Sequence, residues 1–478
     1  MLPPAGDPMG TRLGRRMMVD AGYYRDLLAT AVRGRKVILA GPHVAAASPR
    51  VGTLRELGSD RCFILAPAMG TGALPNDADA EWVSLDIVAS NSTEMVRRFE
   101  KEVASLPGHV LQALDRFDPD GSALTYVDTV QATTSIGRRP AYGPRRPVWV
   151  ALEDKAVIDQ FFDDVGVPRP PSAVVSVQHD DLLAAAAQLG RDQGTVWSGD
   201  SRDGYNGGGV LVRWVRTEED AGEAVRFFGE QCSRVRIAPF VEGIPCSIHG
   251  LVLDSGVAVF RPVELITLRA SDGGRLRYAG CATFWDPTDD VRAAIRAIAR
   301  RLGTALRQRV GYRGAFALDG IVSDEGFVAN ELNPRFGAGL NVIDGCVPEL
   351  PLLLLHHAVI AGEPWDLRSD DLEELIVTAA DERRGGGGWL TVAQPRAATE
   401  EHRLVEGNDG YRLAEETESA HARLLIGSSS VGGFVRFEPD PVLTPVGASI
   451  TPRVAAGFEA ADRYAGTTIG QLIAAQEV

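Results

Sequence analysis

The sequence predicts a mixed α/β fold of several domains, and three observations lead to this expectation. The 478-residue chain is too long for one hydrophobic core, and a prior of about 150 residues per domain gives three or four domains. Near the N-terminus, residues 36–66 contain two short apolar runs separated by a helical stretch, which is typical of a βαβ unit. Farther along, residues 314–333 contain two apolar runs joined by a turn, which is typical of an antiparallel hairpin.

Composition and charge limit the kinds of molecule that we expect the protein to bind. The hydrophobic fraction of 45% is ordinary for a globular protein and supplies enough material for several cores. The net charge of −15 argues against general binding to nucleic acids or acidic membranes, because both require a basic surface. Almost all cations are arginines; the lysines are Lys36, Lys101 and Lys155. A lysine at a suggestive position is therefore more informative here than in most chains.

The cysteines and the apolar runs predict a cytoplasmic protein with no membrane partner. The five cysteines are scattered and form no C-x-x-C pair, which favours a reduced chain without a zinc site. Residues 1–16 are rich in proline, glycine and arginine and lack the apolar core of a signal peptide. The apolar run around 350–360 is short for a membrane helix and contains His356 and His357.

The N-terminal part, residues 1–147, is predicted to be an α/β domain. Its first strand, at 36–40, runs into a loop at Gly41 and Pro42. Such turns often bind nucleotides, yet this one lacks the G-x-G-x-x-G pattern. Two alternatives remain: the domain contributes to substrate binding, or it serves only as a lid or a dimer surface. A proline- and arginine-rich linker, residues 138–147, closes the domain.

Residues 148–233 are predicted to form a small domain with a mobile glycine loop. Lys155 precedes a helix that runs through Phe162. A strand at 194–198, a glycine-rich turn and a return strand follow, and the backbone N–H groups of such a turn can close over phosphates. The plain alternatives are a solvated helix start for Lys155 and an ordinary hairpin turn for the glycines.

The strongest chemical signal is the hairpin at 314–333. Its first strand ends on Asp319 and its second on Glu331, so antiparallel neighbours place the two carboxylates close together. Glu331 and Asn333 are two residues apart, so both side chains point to one face of an extended strand. Hard oxygen donors suit Mg²⁺ or Mn²⁺, which leave their other positions to phosphates and water. Arg335 adds a fixed cation nearby. The plain alternative is a hairpin with solvated acidic residues.

Helices and a further domain complete the prediction. Apolar residues at helical spacing predict an amphipathic helix at 290–310, and a second helix is expected at 350–361. Beyond residue 365 the composition shifts to an acidic stretch, the glycine run 385–388 and short β-like runs. We expect a separate C-terminal domain there, closed by a helix at roughly 456–474.

Two segments carry a resemblance to a known superfamily. The segment Asp319…Glu331-Leu332-Asn333-Pro334-Arg335 resembles the metal-binding signature of the ATP-grasp ligases. The stretch from Asp154-Lys155 to Gly166-Val167-Pro168-Arg169-Pro170 resembles their entry segment, and the layout of the whole chain is similar to the pheganomycin-type bacterial peptide ligases.

The resemblance implies an α/β (α+β) ATP-grasp fold in four parts. These are an N-terminal pre-ATP-grasp domain at 1–147, a small lobe with a glycine flap at 148–233, a large lobe with the metal site at 234–365, and an additional C-terminal α+β domain at 366–478.

The resemblance also assigns roles to residues of this sequence. Lys155 reaches the nucleotide phosphates and, with Arg335, serves catalysis, whereas Asp319, Glu331 and Asn333 hold the metal. The segment 235–247 resembles the hinge that pairs adenine with backbone groups. The further ATP contacts that it implies lie on the strand before the flap, in the flap and in the hinge: Ser198, Gly204, Tyr205, Asn206, Gly207, Gly208, Ala238, Pro239, Phe240, Val241 and Glu242.

The sequence departs from the family at two of these contacts. Most relatives carry a second phosphate-binding lysine on the strand before the flap, but no lysine follows Lys155 here, and the matching place is near Trp197 or Ser198. Either a flap N–H group or an arginine supplies that contact, or the nucleotide affinity is low. Relatives also place a ribose-binding glutamate where Pro245 stands, so Glu242 is only a candidate for that role.

The implied activity is ATP-dependent amide-bond formation with release of ADP and phosphate. The carboxylate donor becomes an acyl phosphate, which an amine then attacks, and Mg²⁺ and the cations stabilise the transferring phosphoryl group. The expected partners are an amino-acid-like carboxylate donor, guanidino-bearing in the pheganomycin-type precedent, and a peptide or amino acid amine, as in antibiotic biosynthesis. Two alternatives stay open: another ATP-grasp dipeptide or amino acid ligase, and a nucleotide-binding module without catalysis. A homodimer is compatible with the sequence.

Overall fold

The protein has the mixed α/β architecture that its sequence predicts, arranged around three main β-sheets. The structure is a computed structural model, and it describes residues 20–201, 204–270, 275–396, 398–408 and 410–474. Within these residues the three sheets contain four, four and eleven strands, and a two-stranded ribbon accompanies the first.

The first sheet is parallel and lies between helices. The elements of this part are α1 (Ala21–Val32), β1 (Val37–Ala40), α2 (Val44–Glu56), β2 (Cys62–Ala66), β3 (Ala80–Ser84), α3 (Ser92–Ala104), α4 (Gly108–Phe117), β4 (Leu124–Val127), β5 (Ser135–Ile136) and β6 (Arg139–Pro140). The strand order is β3-β2-β1-β4, and each neighbouring pair is parallel. Every residue of β1, β2 and β4 is buried, which explains their continuous apolar runs.

The second sheet is antiparallel and carries the glycine-rich connection. Its part of the chain contains α5 (Pro147–Val150), a 3₁₀ turn (Ala151–Glu153), α6 (Ile158–Val165), β7 (Ala173–Ser176), α7 (His179–Leu189), β8 (Thr195–Gly199), β9 (Val212–Val215), α8 (Glu218–Gln231) and β10 (Arg234–Pro239). The strand order is β7-β10-β8-β9. A capping box between Thr217 and Asp220 stabilises the N-terminus of α8.

The third sheet begins with the strands that carry the predicted metal ligands. This part contains β11 (Ile244–Val252), β12 (Val257–Ala270), β13 (Leu276–Ala282), α9 (Asp289–Val310), β14 (Gly314–Ser323), β15 (Gly326–Asn333), α10 (Ala338–Cys346), α11 (Leu352–Ala361) and α12 (Ser369–Glu382). The helix predicted at 290–310 is α9, which ends at Gly311 in a left-handed conformation (φ 59°). Its buried residues, such as Ile295, Leu302 and Leu306, pack on the sheet.

The same sheet continues into the C-terminal part. The remaining elements are β16 (Gly386–Val392), β17 (Glu400–Gly407), β18 (Gly410–Leu413), β19 (Ala422–Ser429), β20 (Gly432–Pro439), α13 (Thr451–Ala465) and β21 (Leu472–Ala474). The order is β15-β14-β11-β12-β13-β16-β20-β19-β17-β18, and β21 pairs with β12. One sheet therefore includes strands on both sides of residue 366, and the three predicted domain boundaries stay predictions.

The prediction of a C-terminal helix at 456–474 is wrong at both boundaries. Helix α13 begins at Thr451 and ends at Ala465, and the capping residue Gly466 adopts a left-handed conformation (φ 59°). The side chain of Asp462 then accepts hydrogen bonds from the backbone N–H groups of Ile469 (2.7 Å) and Gly470 (2.8 Å) and so fixes a turn. The chain after this turn forms β21 at the edge of β12, because the turn directs it back to the sheet.

Five clusters of buried apolar side chains hold these layers together. The five cysteines are all buried. Among the helices that the structure describes, none combines the length and the apolar character needed to cross a membrane.

Candidate active site

The hairpin β14–β15 brings the three predicted metal ligands to one face. Asp319 lies directly opposite Glu331, and Ala317 lies opposite Asn333. Residues two apart on a strand share a face, so the side chains of Asp319, Glu331 and Asn333 all point the same way. A bulge follows Asp319, where Gly320 pairs with Ala329 and Asn330 is the extra residue. The bulge therefore shifts the pairing register immediately next to the opposed residues Asp319 and Glu331.

Asp319 is half-buried and has polar neighbours on both sides. Its Oδ1 accepts a hydrogen bond from the Ser247 hydroxyl (2.5 Å), and its Oδ2 accepts one from Asn333 Nδ2 (3.1 Å). Burial raises the pKa of the Asp319 carboxyl to about 6, and the neighbouring Glu331 carboxylate adds to the rise. Two carboxyl groups that repel each other in this way would both be stabilised by a cation between them.

Two cations border this acidic pair. Lys155, in the loop between the 3₁₀ turn and α6, forms an ion pair with Glu331. Arg335 donates from Nη2 to Asn333 Oδ1 (2.8 Å) and from Nε to Glu153 Oε1 (3.1 Å). The 3₁₀ turn thus fixes Glu153, and Glu153 fixes the guanidinium of Arg335 beside the hairpin.

The glycine-rich connection between β8 and β9 covers the hairpin. We call residues 204–211 of this connection the flap; residues 202 and 203, which precede them, lie outside the described part of the chain. The guanidinium of Arg335 lies 5.8 Å from the centre of the Tyr205 ring. Helix α3 holds the flap from outside, because Arg97 Nε donates to the carbonyl of Tyr205 (2.7 Å) and the Thr93 hydroxyl donates to the carbonyl of Gly207 (3.0 Å).

The predicted hinge follows β10. Phe240 stacks on Trp214 of β9, with ring centres 4.5 Å apart and an interplanar angle of 23°. The backbone N–H of Phe240 donates to the carbonyl of Gly194 (3.0 Å), so this particular donor is already used. A planar ring at the hinge would therefore need a different backbone N–H donor from that of Phe240.

One cavity of about 350 Å³ unites most of the predicted site residues. This volume falls within the range of small-molecule sites. The predicted residues that line it are Lys155, Ser198, Tyr205, Asn206, Gly207, Gly208, Ala238, Pro239, Phe240, Val241, Asp319, Glu331, Asn333 and Arg335. Gly204 and Glu242 do not line it. The roles assigned to all these residues stay predictions.

The polar residues of the cavity wall that were not predicted from the sequence include Arg236, Ser247, His249 and Tyr278. Arg236, Ser247 and His249 interrupt the buried stretches of β10 and β11, whereas Tyr278 lies at the half-buried start of β13. Burial lowers the pKa of His249 to about 3, so its imidazole is neutral at physiological pH. Its Nε2 lies 3.2 Å from the Ser247 hydroxyl, which itself donates to Asp319. A polar residue within an apolar run was the only available signal for these positions.

Comparisons with known proteins add evidence about the fold. No family model and no curated protein matches the sequence. Among the solved structures it resembles a biotin carboxylase from Campylobacter jejuni in complex with an ATP ligand, at 13% identity and a TM-score of 0.52, covering 86% of this chain and 88% of that one.

A second similar structure is the biotin carboxylase domain dimer of the Hydrogenobacter thermophilus 2-oxoglutarate carboxylase, with MgADP, ADP and bicarbonate. It is 15% identical, covers 90% of this chain and 95% of that one, and has a TM-score of 0.51. At these identities the likeness bears on the fold alone. The sheets, the hairpin and these two neighbours together show that the chain has the ATP-grasp fold.

Proposed function

We propose that this protein is an ATP- and Mg²⁺-dependent ligase that joins a carboxylate to an amine. The observation that carries the proposal is the convergence of Lys155, Asp319, Glu331, Asn333 and Arg335 in the wall of one cavity, beneath a glycine-rich flap. The similar biotin carboxylase structures with an ATP ligand, or with MgADP and bicarbonate, support the same kind of ligand here.

The donor set of the hairpin fits Mg²⁺. Two carboxylates and an asparagine amide supply hard oxygen ligands. These three residues are too few to fill the coordination shell of Mg²⁺ with protein ligands alone. Among the described residues, no group of three or more His, Cys, Asp and Glu side chains could hold a metal ion. Asp319, Glu331 and Asn333 would therefore hold the ion together with nucleotide phosphates and water. When bound there, Mg²⁺ would neutralise phosphate charge during transfer.

The other residues position the nucleotide and the reacting groups. We assign the adenine to the hinge beside Phe240, and the phosphates to the space between the flap and Lys155. Arg335, which Glu153 fixes from one side, would hold the carboxylate of the donor in line with the terminal phosphate. A carboxylate oxygen attacks that phosphorus and ADP leaves. The amine then attacks the acyl carbon, a C–N bond forms, the C–O bond to phosphate breaks, and phosphate leaves after the amine has lost a proton.

At the finer level we propose a peptide ligase of natural-product biosynthesis. Its donor would be an amino-acid-like carboxylate, guanidino-bearing as in the pheganomycin-type ligases, and its acceptor the N-terminal amine of a peptide. The resemblance in sequence layout supports this level. A dipeptide or other amino acid ligase would use the same residues, so the two differ in whether a free amino acid serves as the nucleophile.

The test is phosphate release by the purified protein with Mg²⁺-ATP and a panel of amino acids, with and without short peptides. We expect release only when a carboxylate donor and an amine are both present, together with a product whose mass equals the two substrates minus water. The Glu331→Ala variant is the control, and it should release none. ATP binding without release for any pair would contradict the ligase and favour a nucleotide-binding module without catalysis.

A further inference from the structure

Arg236 is a buried cation in the wall of the cavity. It lies on β10, is 4% exposed and borders the cavity together with Ser198. Arg236 pairs directly with Ser198 of β8, and Ala238 pairs with Val196. Directly opposed residues of an antiparallel pair share a face, with Cβ atoms about 5 Å apart. These four residues therefore form one patch of the wall, and Arg236 is its cation.

The guanidinium of Arg236 is anchored at one end. Its Nε donates to both carboxylate oxygens of Asp159 on α6, at 3.0 and 2.8 Å. Its Nη2 is buried and has no hydrogen-bond partner in the part of the chain that the structure describes. A buried N–H donor without a partner costs free energy, so a side chain serving only as a structural ion pair would be expected to use this nitrogen too.

The other cations of the cavity wall differ from Arg236 in this respect. Lys155 is paired with Glu331, and Arg335 donates to Asn333 and Glu153. Asp159 already has a second cationic neighbour outside the cavity wall, since Arg169 Nη1 lies 3.7 Å from its Oδ2. Neutralisation of Asp159 alone therefore does not explain why a second arginine is buried at this point.

We propose that Arg236 binds a phosphate of the nucleotide, and that it supplies from β10 the positive charge that Ser198 does not supply from β8. The inference rests on the proposed function. Asp159 is the positioning residue: it takes the Nε end of the guanidinium and leaves the terminal nitrogens for an anion. The planar fork of arginine suits two phosphate oxygens. Position 236 is two residues from Ala238, or about 7 Å along the strand, within reach of a nucleotide whose base lies at the hinge.

The test compares nucleotides with and without phosphate. Binding of ADP and of adenosine to the purified full-length protein is measured by calorimetry for the wild type, Arg236→Met and Arg236→Lys. For Arg236→Met we expect about tenfold weaker ADP binding, since a charge-assisted hydrogen bond is lost, and adenosine binding within about twofold of the wild type. Arg236→Lys should lie between, because it keeps the charge but not the fork.

The matched control is Arg169→Met. This variant also removes an arginine next to Asp159, but Arg169 does not line the cavity. Its ADP affinity should stay at the wild-type value, and circular dichroism should show that all variants are folded. If Arg236→Met misfolds, the lysine variant alone decides, because it preserves the volume and the charge.

The outcomes separate this inference from the proposed function. Equal losses for ADP and adenosine, or an unchanged ADP affinity in the Arg236 variants, would overturn the inference and leave the ligase intact. Failure of the wild type to bind ADP at all would overturn the proposed function and this inference with it.

Discussion

Two carboxylates on the third sheet have contrasting environments. Asp319 of β14 and Glu264 of β12 are separated by β11, where Ser247 pairs with Asp319 and Cys246 pairs with Glu264. Neighbouring residues of a strand point to opposite faces, so the two carboxylates lie on opposite faces of one sheet. Burial raises the pKa of both groups.

Their partners differ. Glu264 is fully buried. Within the described part of the chain it accepts hydrogen bonds from neutral donors at the start of α13: the backbone N–H groups of Ile450 (3.0 Å) and Thr451 (3.3 Å) and the hydroxyls of Ser449 and Thr451. Asp319 instead lies opposite a second carboxylate, Glu331, and borders the cavity.

This difference is the basis on which we propose a functional role for Asp319 and a structural role for Glu264. Helix N-terminal groups complete the shell of Glu264, and the carboxylate joins the helix to the sheet. The surroundings of Asp319 include a like charge, Glu331, together with the cations Lys155 and Arg335. Burial and a raised pKa alone would not separate the two groups; the identity of the neighbours does.

The largest expected effect is the loss of activity when a carboxylate that lines the cavity is removed. Glu331→Ala removes one of the two proposed metal-binding carboxylates, so we expect phosphate release to fall by about a thousandfold or more, since metal and phosphate lose their alignment. The measurement is phosphate release at increasing Mg²⁺ concentrations. Addition of EDTA to the wild type should cause a loss of release as large as that caused by the substitution. If the variant keeps its activity, or loses stability instead of activity, Glu331 has a structural role like that of Glu264.

The second prediction concerns the cation beside the hairpin. Arg335→Lys keeps one positive charge but cannot bridge Glu153 and Asn333 with a rigid fork. We expect the turnover rate to fall by about 10 to 100-fold at saturating ATP, because the donor carboxylate and the phosphate are less well aligned. Steady-state kinetics at varied donor concentration measure this. The control is Arg309→Ala, which removes a more exposed ion pair with Asp164.

The third prediction concerns the structural carboxylate. Glu264→Ala leaves the buried donors at the start of α13 without an acceptor, so we expect the free energy of unfolding to fall by about 3 kcal/mol. Urea unfolding measures this, and the activity per folded molecule should remain. Loss of activity in a variant that is still folded would contradict the contrast between the two faces of the sheet.

Local patterns were sufficient to predict the hairpin and the common face of its polar residues. Asp319, Glu331 and Asn333 are brought together by strand pairing and by spacing of two residues, and both are visible in the sequence. The parallel strands β1 and β2 were predicted for the same reason, since their apolar runs are short and continuous.

Long-range contacts could not be predicted in this way. Arg236 and His249 belong to strands that are buried on both faces, where alternation gives no direction to a polar residue. The end of α13 was missed because apolar residues at 469, 472 and 473 continue past Gly466, and only the side chain of Asp462 and the pairing with β12 show that the chain turns.

The smallest expected effect concerns the hold of α3 on the flap. Arg97→Ala removes the hydrogen bond to the carbonyl of Tyr205. Among the residues that the structure describes, this bond and that of Thr93 join the N-terminal part to the flap. We expect the KM for ATP to rise by about two- to fivefold with little change in kcat, since one hydrogen bond contributes about 1 kcal/mol and the closed flap matters most for holding the nucleotide. The matched control is Arg98→Ala, because the exposed Arg98 pairs with Glu94 on the same helix and does not donate to the flap. Equal KM values for the two variants would show that the hydrogen bond from Arg97 to the flap has only a structural role, like the hydrogen bonds of Glu264. A selective rise for Arg97→Ala would extend the functional region from the hairpin to α3, and would tie closure of the flap to the N-terminal part of the protein.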